Sequence, residues 1–192
     1  MSILEADGEK LLAAIRTLLA AKNIVTDGDI AKRMEATDRA SPGQGARMVA
    51  KAWIDPDYRA FMLEDGTKAA EAIDIPMRGT APLGVLENTD EVHNLIVCTL
   101  CSCYPRAVLG YPPFWYKSAA YRARAVRDPR GLLLEFRTTL PESTKIHVVD
   151  STADYRWMVL PKRPTGTDGW SVDQLAAIVR EGDMVGVTVP SV

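Results

Sequence analysis

All three cysteines of this chain lie within six residues, in the segment Cys98-Thr99-Leu100-Cys101-Ser102-Cys103, which we call the cysteine loop. Thiols that serve only packing are expected to be scattered, and three thiols cannot all pair as disulfides within one chain. Three thiolates in a small volume need a bound cation to offset their charge. Sulfur ligands select zinc, copper(I), iron or cobalt over magnesium or calcium. The segment therefore predicts a loop that closes on one transition-metal ion.

A structural zinc site is one alternative for the cysteine loop. Such a site needs a fourth Cys or His ligand, and the nearest candidate is His93, five residues upstream. The neighbours of His93 are apolar, which favours a half-buried strand residue without a ligand role. The single residue between Cys101 and Cys103 is also a shorter spacing than zinc-finger knuckles use. This spacing places backbone nitrogens beside the metal, where a hard, high-valent ion could use them as deprotonated amide ligands.

The composition narrows the class of protein around this loop. Of the 192 residues, 47% are hydrophobic and 25% charged, which is typical of a globular protein. The formal net charge of −2 gives no basic field for nucleic acid or an anionic membrane. No stretch approaches the ~18 apolar residues of a membrane span, and the N-terminal segment is acidic, unlike a signal peptide. We therefore expect a cytoplasmic protein, where reduced thiols are normal.

Four arginines follow the cysteine loop closely. Because they lack interleaved aromatic residues, the pattern favours a structural or subunit-facing role over nucleic-acid binding. They are Arg122, Arg124, Arg127 and Arg130.

Residues 1–75 predict a series of short helices from their apolar period and capping residues. Helix starts are indicated at Asp27, at Ser41-Pro42 and at Asp55-Pro56, and Gly66 is interpreted as a helix end. Short helices gain most of their stability from tertiary contacts. We therefore predict that residues 1–75 form a helical arm that packs on a partner subunit.

Residues 76–192 predict a metal-binding α+β domain, because strand and helix signals mix without strict alternation. The predicted fold is thus an N-terminal helical arm followed by a layered α-β-β-α domain. The predicted strands are residues 84–87, 92–97, 145–150, 155–160 and 184–189, and the predicted helices are residues 118–126, 130–136 and 171–180.

The segment from Val97 to Pro105 resembles the metal-binding loop of nitrile hydratase α subunits. The resemblance covers nearly the whole chain and implies a catalytic subunit that hydrates a nitrile to the amide. The other matching segments are residues 50–53, 86–89, 92–94, 108–110, 112–113, 115–118, 121–124, 127–130, 158–161, 163–164, 166–170 and 178–179.

The resemblance also implies the metal and its ligands. The metal is expected to be a non-corrin cobalt(III) ion rather than iron(III), because Thr99 matches the cobalt branch, where the iron branch has Ser. Cys98, Cys101 and Cys103 are expected to supply the sulfurs, with the backbone nitrogens of Ser102 and Cys103 completing five ligands. The sixth position holds water or substrate. By position, Cys101 is expected as a sulfinate and Cys103 as a sulfenate, both steps of the cysteine oxidation series.

The family mechanism gives further expectations. The metal acts as a Lewis acid on the nitrile or on bound water. The sulfenate oxygen of Cys103 is either the nucleophile or the base, and Ser102 either orients it or is only a small residue in a tight loop. The expected partners are one or two β-type subunits, whose arginines hold the oxidised sulfurs, and an activator protein that inserts cobalt.

This chain departs from the family beside the loop. Most nitrile hydratases have Tyr-Pro-Trp-Pro where this chain has Tyr104-Pro105-Arg106-Ala107. As candidate pocket residues, Arg106 and Tyr111 are expected to make the substrate pocket more polar; the alternative for Arg106 is a plain salt bridge.

The substrate is therefore left open. An arginine at the position of Arg106 is a feature of thiocyanate hydrolase, a relative that converts thiocyanate to carbonyl sulfide and ammonia. A branch with three subunits acts on the nucleoside nitrile toyocamycin, which also suits a polar pocket. An alternative of a different class is a cobalt carrier or accessory protein.

Overall fold

The structure is a computed structural model that describes residues 3–192, without the side chains of residues 3–7 and 36. By its internal contacts the chain divides into two units, Met1–Arg39 and Ala40–Val192. The sequence-based boundary at 75/76 differs from this division. Residues 40–75 join the second unit because their helices bury side chains such as Met48 and Met62 completely in its core.

The first unit is a pair of helices, α1 (Ile3–Ala21) and α2 (Asp27–Arg39). Asn23 has a positive φ of 54° just after α1, where the helix ends. The apolar stripe of α1 is exposed, and its members are Leu11, Leu12, Ile15 and Leu18. The role of this unit as a partner-facing arm stays a prediction.

The second unit begins with three helices, α3 (Pro42–Ile54), α4 (Pro56–Glu64) and α5 (Gly66–Glu71). The predicted starts are confirmed, and the Asp55 carboxylate accepts a hydrogen bond from the Tyr58 amide at 3.0 Å. The prediction that Gly66 ends a helix is wrong, because Gly66 opens α5. A Cβ at this position would lie 2.7 Å from the Leu83 carbonyl oxygen, so glycine is needed there for close packing.

Four strands form two parallel pairs, and six further helices complete the unit. Strand β1 (Leu83–Glu87) pairs with β4 (Arg156–Leu160), and β2 (Val92–Val97) pairs with β3 (Lys145–Asp150). The other helices are α6 (Arg106–Leu109), α7 (Phe114–Lys117), α8 (Ala119–Arg127), α9 (Pro129–Glu135), α10 (Val172–Ile178) and α11 (Glu181–Val185).

The layered α+β fold is confirmed. Helices α8 and α9 pack on β2 and β3, and α4, α5 and α11 pack on β1 and β4. Within the described residues, no helix has both the length and the apolar character needed to cross a membrane.

One predicted strand is wrong. Residues 181–185 form helix α11, where a closing strand over 184–189 was expected. The carboxylate of Asp183 accepts a hydrogen bond from the Arg180 amide at 2.8 Å and thus caps the helix. The apolar residues that suggested a strand belong instead to helix α11 and the turn after it. Their side chains are buried in the core, with Met184 and Val187 nearly inaccessible to solvent.

The parallel pairing of β2 and β3 positions the cysteine loop. Parallel strands need a long crossover between them, and here the crossover begins with the loop and includes α6 to α9. The carboxyl ends of both strands therefore meet at one edge, where Val97 lies opposite Asp150.

Candidate metal centre

The cysteine loop leaves the carboxyl end of β2 and brings its three sulfurs together. All three Sγ atoms lie within 4.8 Å of one another. The distance from Cys98 Sγ to Cys101 Sγ is 3.5 Å, and that from Cys101 Sγ to Cys103 Sγ is 3.2 Å. These distances exclude a disulfide, whose sulfurs are about 2.05 Å apart.

The sulfur spacing fits a single transition-metal ion. Two sulfurs that each lie about 2.3 Å from one ion, at an angle of about 90–110°, are about 3.3–3.8 Å apart. The observed pairs fall close to this range. Among the residues that the structure describes, these cysteines are the one group of three or more metal-binding side chains close enough to share an ion.

The loop exposes its sulfurs unequally. Cys98 and Cys103 are 1% and 9% exposed, whereas Cys101 is exposed. Hydrogen bonds from the thiols of Cys103 and Cys98 stabilise the Cys101 thiolate and lower its pKa to about 7. Burial and the same thiol contacts raise the pKa of Cys103 to about 12. Binding of a cation thus has to displace the proton of the buried Cys103 thiol.

Asp150, the last residue of β3, anchors the loop. One of its carboxylate oxygens accepts a hydrogen bond from the Thr99 amide at 3.0 Å, and the other accepts the Thr99 hydroxyl. The sequence analysis did not identify Asp150. The sequence does show an acidic residue at the end of a predicted strand. Its role as an anchor of the cysteine loop can be inferred only when that strand is known to pair with β2.

Removing this anchor is expected to weaken metal binding. Asp150→Ala deletes both acceptors of Thr99 and frees the first half of the loop. Loss of such an outer contact typically lowers metal affinity about 10–100-fold. The measurement is a competition titration of Co²⁺ against a chelator, with metal content checked by elemental analysis.

The matched control for this change is Asp154→Ala. Asp154 is exposed, and it donates a hydrogen bond to the Thr152 hydroxyl from its backbone amide, which the substitution keeps. Equal Co²⁺ affinity in Asp150→Ala and Asp154→Ala would show that the anchor does not support the site.

Three buried tyrosines hold the backbone around the loop. The Tyr116 hydroxyl donates to the Cys103 carbonyl at 2.9 Å, and the Tyr121 hydroxyl donates to the Ile96 carbonyl at 2.6 Å. The Tyr104 hydroxyl donates to Glu181 at 2.6 Å. Burial raises the pKa of all three phenols, so they stay protonated donors. The rings of these tyrosines pack against one another edge to face or tilted. This packing restricts movement of the backbone on the buried side of the cysteine loop.

His93 does not belong to the centre. It is 3% exposed, its Nδ1 faces the Asn88 amide nitrogen at 3.1 Å, and its Nε2 faces the Gly186 carbonyl at 2.7 Å. The Asn88 amide therefore donates to Nδ1 while Nε2–H donates to the carbonyl. Burial lowers the pKa of this imidazole, which keeps it neutral. The histidine is a core residue, and the zinc alternative loses its fourth ligand.

The other candidate residues lie on the exposed side of the loop or just beyond it. Ser102 is exposed between the last two cysteines. Arg106 begins α6, and its guanidinium carbon lies 4.1 Å from the centre of the Tyr111 ring. Among the side chains that the structure describes, Arg106 forms no ion pair, which argues against a salt-bridge role.

Arg156, the first residue of β4, adds a positive charge that the sequence analysis missed. It lies close enough to Cys103 for its charge to oppose the raised pKa of that thiol. One of its terminal nitrogens, Nη1, is buried without a hydrogen-bond partner. The site therefore has a cation of its own beside the third sulfur.

Comparison with known proteins gives one family. The family model described as "Nitrile hydratase, alpha chain" matches residues 6–188. A nitrile hydratase subunit alpha from Rhodococcus sp is 46% identical over 176 residues, which are 91% of this chain and 88% of the relative. A cobalt-containing nitrile hydratase subunit alpha from Pseudonocardia thermophila is 45% identical over 176 residues, 91% of this chain and 86% of the relative.

A solved structure supports the same fold. A recombinant thiocyanate hydrolase with partially modified cobalt centres matches with a TM-score of 0.82 at 42% identity. The match covers 96% of this chain and 90% of that chain.

Proposed function

Because the chain belongs to the nitrile hydratase alpha chain family, we propose that it is the metal-carrying catalytic subunit of a cobalt nitrile hydratase. Nitrile hydratases convert a nitrile to its amide. The observation that carries the proposal is the set of three sulfurs within 4.8 Å at the shared edge of β2 and β3. The cobalt-containing relative supports cobalt as the metal.

The proposed ligands are the sulfurs of Cys98, Cys101 and Cys103 and the backbone nitrogens of Ser102 and Cys103. A bound cobalt(III) ion supplies Lewis acidity, which activates a nitrile or a water for addition. The sulfinate expected at Cys101 is supported by the exposure of its sulfur, since oxidants reach exposed thiolates first. Cys103 is nearly buried, so we expect its oxidation to sulfenate only after metal binding has removed the thiol proton.

The chain's own residues then direct the addition. The Cys103 sulfenate oxygen acts in one of two ways. As a base, it takes a proton from the water that attacks the nitrile carbon. As a nucleophile, it attacks that carbon itself, and a water molecule must then cleave the S–O–C adduct and restore the sulfenate; in both cases proton transfer to nitrogen yields the amide. The Ser102 hydroxyl, exposed beside it, orients that oxygen through a hydrogen bond. Tyr116 holds the Cys103 carbonyl, which keeps this geometry constant.

The first unit supports the proposed assembly with one or two β-type subunits. Its exposed apolar stripe on α1 and a cavity of about 450 Å³ along α2, lined by Val25, Ile30 and Met34 among others, offer apolar surface to a partner. The cobalt-inserting activator protein and the cytoplasmic location stay predictions.

A second candidate function is thiocyanate hydrolysis. The stacking of Arg106 on Tyr111 favours a polar substrate, which is either a polar nitrile or thiocyanate. The ring restrains the guanidinium three residues after Cys103, and the N–H donors stay available for an anion or a polar nitrile. The thiocyanate hydrolase with the matching fold supports this candidate.

Two assays on the assembled enzyme separate the candidates. Amide formation from nitriles is expected, with polar nitriles preferred, and carbonyl sulfide release from thiocyanate is the comparison. Arg106→Trp removes the charge and adds an apolar wall, so kcat/KM for an apolar nitrile relative to a polar one should rise about tenfold or more. Tyr111→Leu, which only removes the restraint, should shift the ratio less in the same direction.

Two results would count against these statements. Turnover of thiocyanate without any nitrile turnover would overturn the first function. An unchanged substrate ratio in Arg106→Trp would remove Arg106 from the pocket.

A further inference from the structure

A cleft of about 380 Å³ lies beside the cysteine loop and is separate from its sulfurs. It is lined by Thr99 of the loop and by one face of α8. The lining residues on α8 are Ala119, Arg122, Ala123, Val126 and Arg127. The cleft is therefore basic at two positions and apolar between them, and none of the described side chains that line it is acidic.

Arg122 is incompletely satisfied in this cleft. Its Nη1 donates to the Thr99 carbonyl at 3.4 Å, but its Nε is buried and has no hydrogen-bond partner. A buried donor on a charged group costs free energy until an acceptor reaches it. Arg127 is exposed and makes no ion pair with any side chain in the described part of the chain.

Another arginine on the same helix shows the contrast. Arg124 faces away from the cleft lining and pairs inside the chain with Asp128 at 3.1 Å and Glu135 at 2.5 Å. The helix therefore satisfies one arginine internally and leaves the cleft arginines without a carboxylate. A negatively charged hydrogen-bond acceptor in the cleft would satisfy Arg122 and neutralise both cleft arginines.

We propose that the cleft receives a carboxylate side chain of the β-type partner subunit, which accepts a hydrogen bond from Arg122 Nε and neutralises Arg127. Charge complementarity defines the occupant, and the apolar lining between the arginines suits the stem of an aspartate or glutamate side chain. This inference rests on the proposed function, which requires such a partner. Because Arg122 also holds the Thr99 carbonyl, docking of the partner restrains the metal-binding loop.

The test is the dissociation constant of the complex between this chain and its co-expressed β-type partner. Arg122→Gln should raise Kd about 30-fold or more, since it removes one member of a buried, hydrogen-bonded charge pair. Arg122→Lys keeps the charge but lacks the Nε donor, so it should recover only part of the loss. The matched control is Arg124→Gln on the same helix, which should leave Kd within about threefold.

The outcomes are distinguishable. If the wild-type chain forms no complex, the proposed function and this inference both fail. If the wild-type complex forms and Arg122→Gln keeps its Kd, this inference alone fails. Binding of acetate to the isolated chain, lost in Arg122→Gln while Kd is unchanged, would also overturn it in favour of a small-anion site.

A second measurement covers the case in which Arg122→Gln does not fold. Hydrogen exchange of residues 119–127 in the wild-type chain should slow when the partner is added. Unchanged exchange across this helix in the complex would contradict docking at the cleft.

Discussion

Cys101→Ala is expected to abolish metal binding and catalysis together. The Cys101 Sγ lies 3.5 Å from Cys98 Sγ and 3.2 Å from Cys103 Sγ, so its removal takes away the sulfur that contacts both of the others. Losing an outer contact typically costs about 10–100-fold in affinity or activity, and losing a ligand exceeds that. Cobalt should fall from about one equivalent per chain to background in elemental analysis, and nitrile hydration should fall by more than about 100-fold.

Two substitutions within the same loop serve as controls. Leu100→Ala changes a side chain that is 86% exposed and keeps the backbone, so the chain should retain its cobalt. Ser102→Ala should also retain cobalt, because the proposed ligand is the backbone nitrogen, while turnover falls through loss of the hydroxyl. Cobalt retained in Cys101→Ala would refute the ligand set, and cobalt lost in Ser102→Ala would implicate the hydroxyl as a ligand.

The sulfurs of the site were predictable because all three belong to one short segment. The residues that hold the segment were not, since they come from distant positions. Asp150 reaches Thr99 across 51 residues of sequence, and Tyr121 reaches the Ile96 carbonyl across 25. No local pattern indicates which strand lies beside β2, and the anchor becomes visible only when the parallel register is known.

Helix starts were predicted well where a capping residue acts locally. Ser171 and Gln174 form a capping box at the start of the helix predicted over residues 171–180, and Asp55 caps α4 as expected. The errors arose where burial decides the conformation. The apolar residues 184–189 suit either a strand or a buried helix end, and Gly66 serves close packing against Leu83 rather than a helix end.

The division of the chain shows the same limitation. The narrow apolar stripes in residues 40–75 suggested helices that pack on a partner subunit. These helices do pack their apolar stripes against another surface. That surface is supplied by the same chain, as the complete burial of Met48, Val49 and Met62 shows. The apolar stripe of α1 stays exposed in the described part of its unit. The prediction of a helical arm that packs on a partner subunit therefore now applies to residues 1–39 only.

Gly186→Ala is expected to destabilise the fold more than any surface change. Gly186 ends α11 with a φ of +87°, a conformation that costs a residue with a side chain about 1–2 kcal/mol. A Cβ there would also overlap the carbonyl group of Asn94 and lie 3.2 Å from the Leu95 Cα, both in strand β2. The free energy of unfolding should fall by at least about 3 kcal/mol, measured by denaturant unfolding with circular dichroism.

Gly166→Ala separates the two causes of this loss. Gly166 has nearly the same φ, +80°, but a Cβ there would meet nothing within 4 Å. Its substitution should therefore cost only the conformational part, about 1–2 kcal/mol. The difference between the two variants measures how tightly the turn after α11 packs on β2, the strand that leads into the metal-binding loop. Equal losses in both variants would show that β2 shifts freely, and the cysteine loop would then lack the rigid support inferred for it.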